Sequence, residues 1–404
     1  MPADHRSTAR ITVVGIGADG WDGLTDAARD TLRAADVLLG APRHLQLVPA
    51  LDGQRRMSWP APLRARLPAL LDELAGVKIA ALASGDPLLS GVAATLIEQF
   101  GAEQVAVIPT VSSVALARAR LGWTAESTAV LRAGDVYTVL RELAPGRRVL
   151  VLSWDDTTPA KLAELLSERG YGASPMTVFG DLGGPDESRL DTTAATFAGP
   201  VPRLNIVAVQ LTGPLLAGWT AGLPDDAYDH DGQLTKRDLR ACALARLAPA
   251  PGQLLWDIGA GAGSIGIEWM RAHPSCRAIA VEANHQRAQR ITDNAANLGV
   301  PGLQVLCAAA PAALAELPAP DAVFVGGGLT TPAVLDDCLR ALRPGGRLVA
   351  HAVTLETEAV MVAAHRDHGG ELCRIHVEHA APLGSFTGWT PARAVTQWAW
   401  TRCG

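Results

Sequence analysis

Two glycine-rich turns, each directly after an apolar strand-like run, limit what this chain can fold into. The first lies in ITVVGIGADG, residues 11–20, and the second in LLWDIGAGAGSIGIEW, residues 254–269. A strand, a tight turn and a helix start in this order are typical of an α/β unit. Glycine suits such a turn because a Cβ would block positive φ angles or the close approach of a ligand. Two such turns predict two sites for a nucleotide-like cofactor.

The apolar runs divide the chain into two α/β series. With 404 residues and roughly 150 residues per domain, two domains are the starting estimate. Six runs up to residue 212 predict a mainly parallel sheet: ITVVGIG, DVLLG, KIAALASGD, QVAVIPT, RRVLVLSW and PRLNIVAVQL. Five later runs follow the rhythm of a doubly wound sheet: QLLWDIG, RAIAVEAN, LQVLCAA, DAVFVGGG and RLVAHAV. Glycine, proline and aspartate interrupt the pattern between them, which predicts domains over 1–212 and 228–404 with a linker over 213–227.

Charge and hydropathy exclude several classes of function. The net charge of −6 offers no general attraction to nucleic acid, which needs a basic face, so no nucleic-acid partner is expected. No apolar run approaches the roughly 18 residues of a membrane helix, and the N-terminal MPADHRSTAR has no apolar signal region. These features predict a cytoplasmic protein with no membrane partner.

The histidines around Cys373 raise the question of a metal site. His365, His368, His376 and His379 lie on either side of this cysteine and could in principle bind a metal, but the chain has no CxxC pair. Cys373, Ile375 and Val377 alternate with polar residues, as in a half-buried strand. The alternation favours a strand over a set of metal ligands, so no metal is expected.

The second glycine turn is the more informative, although both can be written G-x-G-x-x-G. Asp257 stands before Gly259, and the next apolar run ends in Glu282, 282 − 259 = 23 residues beyond that glycine. A carboxylate at this spacing is placed to hydrogen-bond the ribose hydroxyls of an adenosine. The two acids therefore predict a nucleoside site. The glycines are also typical of an ordinary tight turn, and Glu282 of a solvated strand end.

The pattern D-x-G-x-G-x-G with Glu282 resembles the Rossmann-like methyltransferases that use S-adenosylmethionine (SAM). LTKRDLRA, WDIGAGAGSIGIEW, CAAAPAAL and DAVFVGGG, in this order, are similar to the domain that methylates carbon 15 of a cobalamin precursor and decarboxylates a neighbouring acetate. The resemblance implies SAM contacts at Thr235, Asp257, Gly259, Ala260, Gly261, Ala262, Gly263, Glu282 and Ala310. Thr235 also suits an ordinary helix N-cap. Ala309 stands where the family often has an acidic residue.

The first turn lacks the acidic residue that would close a second Rossmann strand. GIGADGWDGLT, ADVLLGAPRHL, LASGDPLLSGV and IPTVSSVALARARLG instead resemble the tetrapyrrole methylases, a different SAM fold of two α/β lobes. The resemblance implies SAM contacts at Ala18, Ser84, Gly85, Asp86, Ser112, Ser113 and Trp154. The two serines are also typical of helix capping, Asp86 of a turn, and Trp154 of a core residue. Ala18 and Asp19 replace the proline and glycine common in the family's first motif, which leaves the shape of this loop open.

Two different SAM folds in this order resemble the fused precorrin methyltransferases of aerobic cobalamin synthesis. The resemblance implies a decarboxylating C-methyltransferase with a tetrapyrrole substrate and one SAM in each domain. It implies methylation of precorrin-6B at carbon 5 by the N-terminal domain and at carbon 15 by the C-terminal domain. Loss of the ring C acetate carboxyl group would then give precorrin-8X. Both resembled families commonly assemble, so a homo-oligomer is expected.

Methyl transfer to an electron-rich carbon needs in-line positioning rather than a nucleophilic side chain, so no catalytic triad is expected. The carboxylates of a tetrapyrrole need basic partners, and the fork of arginine matches them. The candidates in the second domain are Lys236, Arg237, Arg240 and His351. Charges on a helix also commonly form a solvated face.

Two other classes of function stay open at this point. A methyltransferase for RNA or protein needs a basic groove with interleaved aromatic residues, which an acidic chain does not suggest. A non-catalytic tetrapyrrole- or SAM-binding protein would carry the same motifs, and the departures at Ala18 and Asp19 leave this alternative for the first domain.

Overall fold

The computed structural model describes residues 11–132, 134–215 and 218–403. The segment 1–10, for which the sequence predicts no signal region, lies outside the described residues. The chain divides into two compact units. The first comprises Met1–Val136 and Ala144–Pro214, and the second Tyr137–Leu143 and Leu215–Gly404.

A five-stranded parallel sheet forms one lobe of the first unit, with the order β3-β2-β4-β1-β5. Its strands are β1 (Ile11–Ile16), β2 (Val37–Gly40), β3 (Arg55–Ser58), β4 (Ile79–Ser84) and β5 (Val105–Ile108). Its helices are α1 (Asp26–Arg33), α2 (Pro42–Gln46), α3 (Leu63–Glu73) and α4 (Val92–Phe100). Val13 and Val14 of β1 enter two different apolar clusters, because successive side chains of a strand point to opposite faces. Burial on both faces makes the central strands continuous apolar runs.

The second lobe of this unit is a mixed sheet with the order β6-β7-β10-β8-β9. Its strands are β6 (Thr128–Arg132), β7 (Arg148–Leu152), β8 (Pro175–Gly180), β9 (Ser188–Thr193) and β10 (Asn205–Gln210), with helices α5 (Ser113–Leu121) and α6 (Thr158–Glu168). Only β6 and β7 pair in parallel; the other pairs are antiparallel. The expectation of a mainly parallel sheet is right for the first lobe and wrong for the second. The edge strands β3, β6 and β9 have no continuous apolar run, because little of their surface is covered.

The second unit contains a seven-stranded sheet with the order β13-β12-β11-β14-β15-β19-β16. Its strands are β11 (Leu254–Ile258), β12 (Arg277–Glu282), β13 (Gln304–Cys307), β14 (Ala322–Val325), β15 (Arg347–Ala352), β16 (Glu371–Ile375) and β19 (Val395–Thr401). Its helices are α7 (Arg237–Leu247), α8 (Ser264–Ala272), α9 (His285–Asn297), α10 (Val334–Ala341) and α11 (Leu355–His368). The first five strands are parallel, as the strand–helix rhythm predicts. Strand β19, which the sequence did not predict, lies between β15 and the edge strand β16 and runs antiparallel to both.

A separate hairpin, β17 (Glu378–Leu383) and β18 (Phe386–Pro391), precedes β19. Cys373 lies in β16, which confirms the strand predicted from its alternating pattern. The longest helix of the described residues, α11, has 14 residues, and no helix in this part of the chain combines the length and apolarity that a bilayer crossing requires.

Candidate active sites

The second glycine turn forms a crowded loop between β11 and α8. Gly259, Gly261 and Gly263 have φ angles of 66°, 60° and 77°. A Cβ on Gly259 would lie 2.9 Å from the backbone nitrogen of Gly327, and one on Gly261 would lie 2.7 Å from the carbonyl oxygen of Gln233. Glycine is therefore required by conformation and by space. The loop holds its backbone against two other segments, which an ordinary tight turn does not need.

Glu282 fixes this loop from the end of β12. Its Oε2 accepts a hydrogen bond from the backbone N–H of Gly261 at 2.9 Å, and its Oε1 accepts one from Asn284 at 2.9 Å. The side chain is buried, so Glu282 is not a solvated strand end. Each carboxylate oxygen keeps a second lone pair, which can accept from a ligand hydroxyl.

Asp257 is a buried carboxyl beneath the same loop. Its Oδ2 accepts from the backbone N–H of Gly266 at 2.9 Å, while its Oδ1 has no hydrogen-bond partner among the described residues. Burial raises the pKa of Asp257 to about 7 against the lowering effect of the Gly266 N–H, and the charge of Glu282 adds to the rise. A buried polar atom without a partner is uncommon in a folded protein and marks a place for a donor from a ligand.

A cavity of about 1570 Å³ lies beside this loop. Five predicted SAM contacts line it: Thr235, Asp257, Gly259, Ala260 and Gly261. Ala262 and Gly263 continue the loop into α8, and Glu282 holds the loop without lining the cavity. Ala310 lies between β13 and β14, half-buried against an apolar cluster and outside the cavity lining.

Lys236 and Arg237 line this cavity at the start of α7, where both are exposed. Lys236 is the N-cap residue of the helix, so the N-cap interpretation of Thr235 is wrong. The Nε of Arg237 donates to the carbonyl oxygen of Gly222 at 2.7 Å, and Lys236 Nζ lies 3.7 Å from Asp225. The rest of each cationic head is available to a ligand.

Arg240 does not line the cavity, which corrects the expectation that it binds a substrate carboxylate. Its side chain is fully buried one turn further along α7. Its Nε donates to Glu268 Oε1 at 2.5 Å, its Nη1 donates to the carbonyl oxygen of Thr235 at 2.5 Å, and its Nη2 donates to that of Leu223. With its donors committed inside the protein, Arg240 supports the segment that leads into α7.

His351 lines the cavity at the end of β15 but is 9% exposed. Its Nε2 lies 2.9 Å from Gln397 Oε1, and its ring meets that of Phe324 edge-on. Burial lowers the pKa of His351 against the raising effect of its hydrogen bond to Gln397, so the ring is neutral at pH 7. Because Nε2 donates to the amide oxygen of Gln397, the Nδ1 lone pair can accept a hydrogen bond from a ligand, but the ring supplies no positive charge.

Two basic cavity-lining residues were not among the predicted substrate contacts. His379 is the second residue of the hairpin strand β17, and Arg393 follows β18. Both are exposed. No sequence motif identifies them. The hairpin lies at the cavity only because the following strand, β19, pairs antiparallel with β15.

In the first unit, the first glycine turn packs against residues 84–87, called here the SGDP turn, at the carboxyl ends of β1 and β4. A Cβ on Gly15 would lie 2.0 Å from the carbonyl oxygen of Gly85. The backbone N–H of Gly85 donates a hydrogen bond to the carbonyl oxygen of Ile16 at 3.0 Å. Gly85 has a φ of 52°, and a Cβ there would lie 2.9 Å from Cα of Ser112. Three chain segments therefore converge at one point.

A cavity of about 200 Å³ lies at this convergence. Six predicted SAM contacts line it: Ala18, Ser84, Gly85, Asp86, Ser112 and Ser113. Trp154, the seventh, does not line it and is 65% exposed, with the Arg132 guanidinium 5.7 Å from the ring centre. This exposure shows that the alternative interpretation of Trp154 as a core residue is wrong, while its contact with SAM stays a prediction.

The local roles proposed for Ser112 and Asp86 are confirmed. Ser112 is the N-cap of α5, and its Oγ accepts from the N–H of Ala115 at 3.1 Å. Asp86 Oδ1 accepts from the N–H of Leu88 at 2.9 Å within the turn. Both residues also line the cavity, so each has a structural role and a position where it can contact a ligand.

Asp19 explains how the first loop tolerates its departure from the family motif. A Cβ on Gly17 would lie 2.4 Å from one carboxylate oxygen of Asp19, and a Cβ on Gly23 would lie 1.9 Å from the other. The carboxylate thus occupies space that two glycines leave empty, while Ala18 keeps its place on the cavity.

Arg43 and Arg132 also line this cavity and were not among the sequence candidates. Arg43 follows β2, and β2 pairs in parallel with β4, so the GAPRHL segment and the SGDP turn end at the same edge of the sheet. The rule that ligands bind at the carboxyl ends of parallel strands could therefore have identified Arg43 from the sequence. Among the described residues no group of three or more His, Cys, Asp or Glu side chains is arranged to hold a metal ion.

Known protein families match both units. The family of the Tetrapyrrole (Corrin/Porphyrin) Methylases matches residues 10–198, and the Precorrin methyltransferase domain matches residues 226–402. The two folds therefore occur in the order that the motifs predict.

Three curated relatives extend this result. A precorrin-6Y C(5,15)-methyltransferase [decarboxylating] from Sinorhizobium sp is 44% identical over 398 residues, which cover 97% of this chain and 96% of the relative. A cobalt-precorrin-7 C(5)-methyltransferase from Salmonella typhimurium is 34% identical over 171 residues, 42% of this chain and 83% of the relative. A probable cobalt-precorrin-6B C(15)-methyltransferase (decarboxylating) from Pyrobaculum calidifontis is 33% identical over 190 residues, 45% of this chain and 97% of the relative. The first similarity runs through both units, and the chain belongs to the family of the decarboxylating precorrin-6Y C(5,15)-methyltransferases.

Proposed function

We propose that this enzyme methylates precorrin-6B at carbons 5 and 15 and removes the ring C acetate carboxyl group as carbon dioxide, giving precorrin-8X. The domain over residues 1–212 acts at carbon 5, and the domain over residues 228–404 acts at carbon 15 with decarboxylation; residues 213–227 link them. The observation that carries this proposal is the similarity to a relative of that name over 97% of the chain. Two shorter relatives, one named for each carbon, support the division of labour.

SAM is the methyl donor of this family, and we propose that each domain binds one molecule. In the second domain, Thr235, the backbone from Gly259 to Gly261 and Glu282 would hold it. The fit is supported by the unpaired Oδ1 of Asp257 and by the lone pairs that remain on Glu282. In the first domain, Ala18, Gly85 and the serines at 112 and 113 would hold it. When bound, SAM supplies an electrophilic methyl group on its sulfonium.

The residues of the second domain have the task of orienting the macrocycle. Lys236 and Arg237 hold the substrate by its carboxylates at the cavity rim, since both cationic heads face solvent there. Neutral His351 and the Phe324 ring form an uncharged wall that limits the access of water to the reacting acetate. When the C–C bond breaks and carbon dioxide leaves, the conjugated macrocycle accepts the electron pair, and the remaining carbon takes up one proton from solvent to become a methyl group.

Blocking one cavity at a time in the full-length enzyme tests the allocation. In Gly85→Val the new side chain would collide with Ser112 beside the cavity of the first unit. In Gly261→Val it would collide with Gln233 beside the cavity of the second unit. With precorrin-6B and labelled SAM, the Gly85 variant is expected to add one methyl group and still release carbon dioxide. The Gly261 variant is expected to release none. The opposite pattern would overturn the allocation, and a wild-type enzyme that adds no methyl group would overturn the function. Light scattering would test the expected homo-oligomer.

A further inference from the structure

Arg43 is held in a fixed orientation at the cavity of the first unit by two neutral side chains. Its Nη2 donates to Ser84 Oγ at 3.0 Å and lies 2.9 Å from His44 Nε2, which in turn lies 2.9 Å from Ser84 Oγ. His44 is 8% exposed. Burial, assisted by the charge of Arg43, lowers the pKa of His44 to about 4, so the imidazole is neutral and its lone pair can accept.

Arg132 approaches the same cavity from the second lobe. Its Nη1 donates to the carbonyl oxygen of Ser90 at 3.1 Å, and its guanidinium lies 5.7 Å from the ring centre of Trp154. A carbonyl group and an aromatic face position a guanidinium without neutralising it. Trp154, which does not line the cavity, therefore acts on it through Arg132.

The charges of both arginines are uncompensated. Neither guanidinium has a carboxylate within 4.0 Å among the described residues. Asp181 raises the pKa of Arg43 from a longer distance, against the larger lowering effect of burial. Asp86 is the only carboxylate among the described residues that line the cavity, and its Oδ1 is engaged by the Leu88 N–H. The cavity wall is therefore positively charged.

We propose that Arg43 and Arg132 form a carboxylate-binding subsite for the tetrapyrrole in the first unit, with Ser84 and His44 as positioning residues for Arg43. Two separate guanidinium groups fit a ligand with several carboxylates, and each fork can take one of them in a bidentate manner. SAM has a single carboxylate next to its own ammonium group, which two unpaired cations match less well. This inference rests on the proposed function, because it assigns part of the substrate's binding to the domain that acts at carbon 5.

Steady-state kinetics of the full-length enzyme test the subsite. Arg43→Gln and Arg132→Gln are each expected to raise the KM for the tetrapyrrole in carbon 5 methylation roughly ten- to hundredfold, because each removes a charge-assisted hydrogen bond. The KM for SAM should change less than about threefold on the same grounds. Arg64→Gln is the matched control, since Arg64 is exposed and pairs with Glu98 away from the cavity.

The positioning residues need a different measurement. Ser84→Ala and His44→Leu are expected to raise the tetrapyrrole KM with little change in kcat, and His44→Gln, which keeps an acceptor for Arg43, is expected to restore it. Equal loss of kcat in all three variants would indicate a merely structural role and overturn the assignment.

The failure of this inference can be told apart from failure of the proposed function. Carbon dioxide release by the second unit is recorded in the same assay and should be unchanged in every variant. A rise in the KM for SAM alone, or a tetrapyrrole KM within twofold of the wild-type value, would overturn the subsite. Fluorescence titration with uroporphyrin III, a polycarboxylate macrocycle, adds a readout without turnover. The arginine variants should bind it more weakly than the Arg64 control, and equal binding would contradict the proposal.

Discussion

Arg240 and Glu268 form a buried ion pair in which the guanidinium Nε and the carboxylate Oε1 are 2.5 Å apart. Glu268 also accepts from the N–H groups of Gly222 and Leu223 and from the Tyr228 hydroxyl. One buried carboxylate therefore ties α7 and α8 to the segment that lines the cavity of the second unit. The pair has a structural role, although Arg240 lies only three residues from the exposed Arg237.

Arg240→Met is expected to lower the free energy of unfolding of the second unit by roughly 3 to 5 kcal/mol, because it leaves Glu268 charged and buried. Urea unfolding measures the change. Arg246→Met is the control: its ion pair with Glu371 is exposed and should be worth about 1 kcal/mol or less. Similar losses in both variants would contradict the buried-pair interpretation.

Gly261→Ala should weaken binding of S-adenosylhomocysteine to the second unit, since the added Cβ would meet the carbonyl oxygen of Gln233 and displace the loop. Gly345→Ala is a matched control, because Gly345 also has a positive φ but its Cβ would meet nothing within 4 Å. In both variants the alanine is strained at a positive φ angle, which destabilises the fold by about 1 kcal/mol. Calorimetric titration should show lost affinity at the second cavity only for the Gly261 variant, and unchanged affinity there would be evidence against a crowded loop.

The raised pKa of Asp257 predicts a pH-dependent stability. The folded carboxyl has a pKa of about 7, against an ordinary value of 3.8. The folded state therefore binds the proton more tightly, and the stability contributed by Asp257 is present at low pH and is lost as the pH rises from about 4 to about 7.

Asp257→Asn should consequently be more stable than the wild type at pH 8, with a difference that shrinks towards pH 5. Thermal unfolding of the ligand-free enzyme at several pH values measures it. Asp293→Asn, at an exposed site in α9, should show no such trend. A difference that does not vary with pH would refute the raised pKa.

Arg237→Ala should raise the KM for the tetrapyrrole in the decarboxylating reaction roughly tenfold or more, because an exposed guanidinium at the cavity rim is lost. The KM for SAM should hardly change. Arg343→Ala serves as the control, since Arg343 pairs with Asp321 outside the cavity lining. Equal effects on both Michaelis constants, or none, would disprove the role of Arg237.

Most of the buried strands and both glycine turns were predictable because their signals are local, although the largely buried strands β8 and β19 were not predicted. β1, β4, β11 and β12 are buried on both faces and form apolar runs that the sequence displays directly. The strands β3 and β9 escaped notice because their exposed side chains have no such signature. The antiparallel second lobe was missed for a related reason: the apolar runs of β7 and β10 do not reveal the direction of pairing.

The sequence by itself determined the two folds, their order and the residues of both glycine turns, since a strand, a turn and a helix start lie within a few residues of each other. It also placed Glu282 correctly at the loop. Only the tertiary structure decided which cations face a cavity. Arg237 and Arg240 share one turn of α7 yet differ in burial, and Arg43 and Arg132, 89 residues apart by 132 − 43, line the same cavity. Exposure and convergence depend on how distant segments pack, which local spacing does not encode.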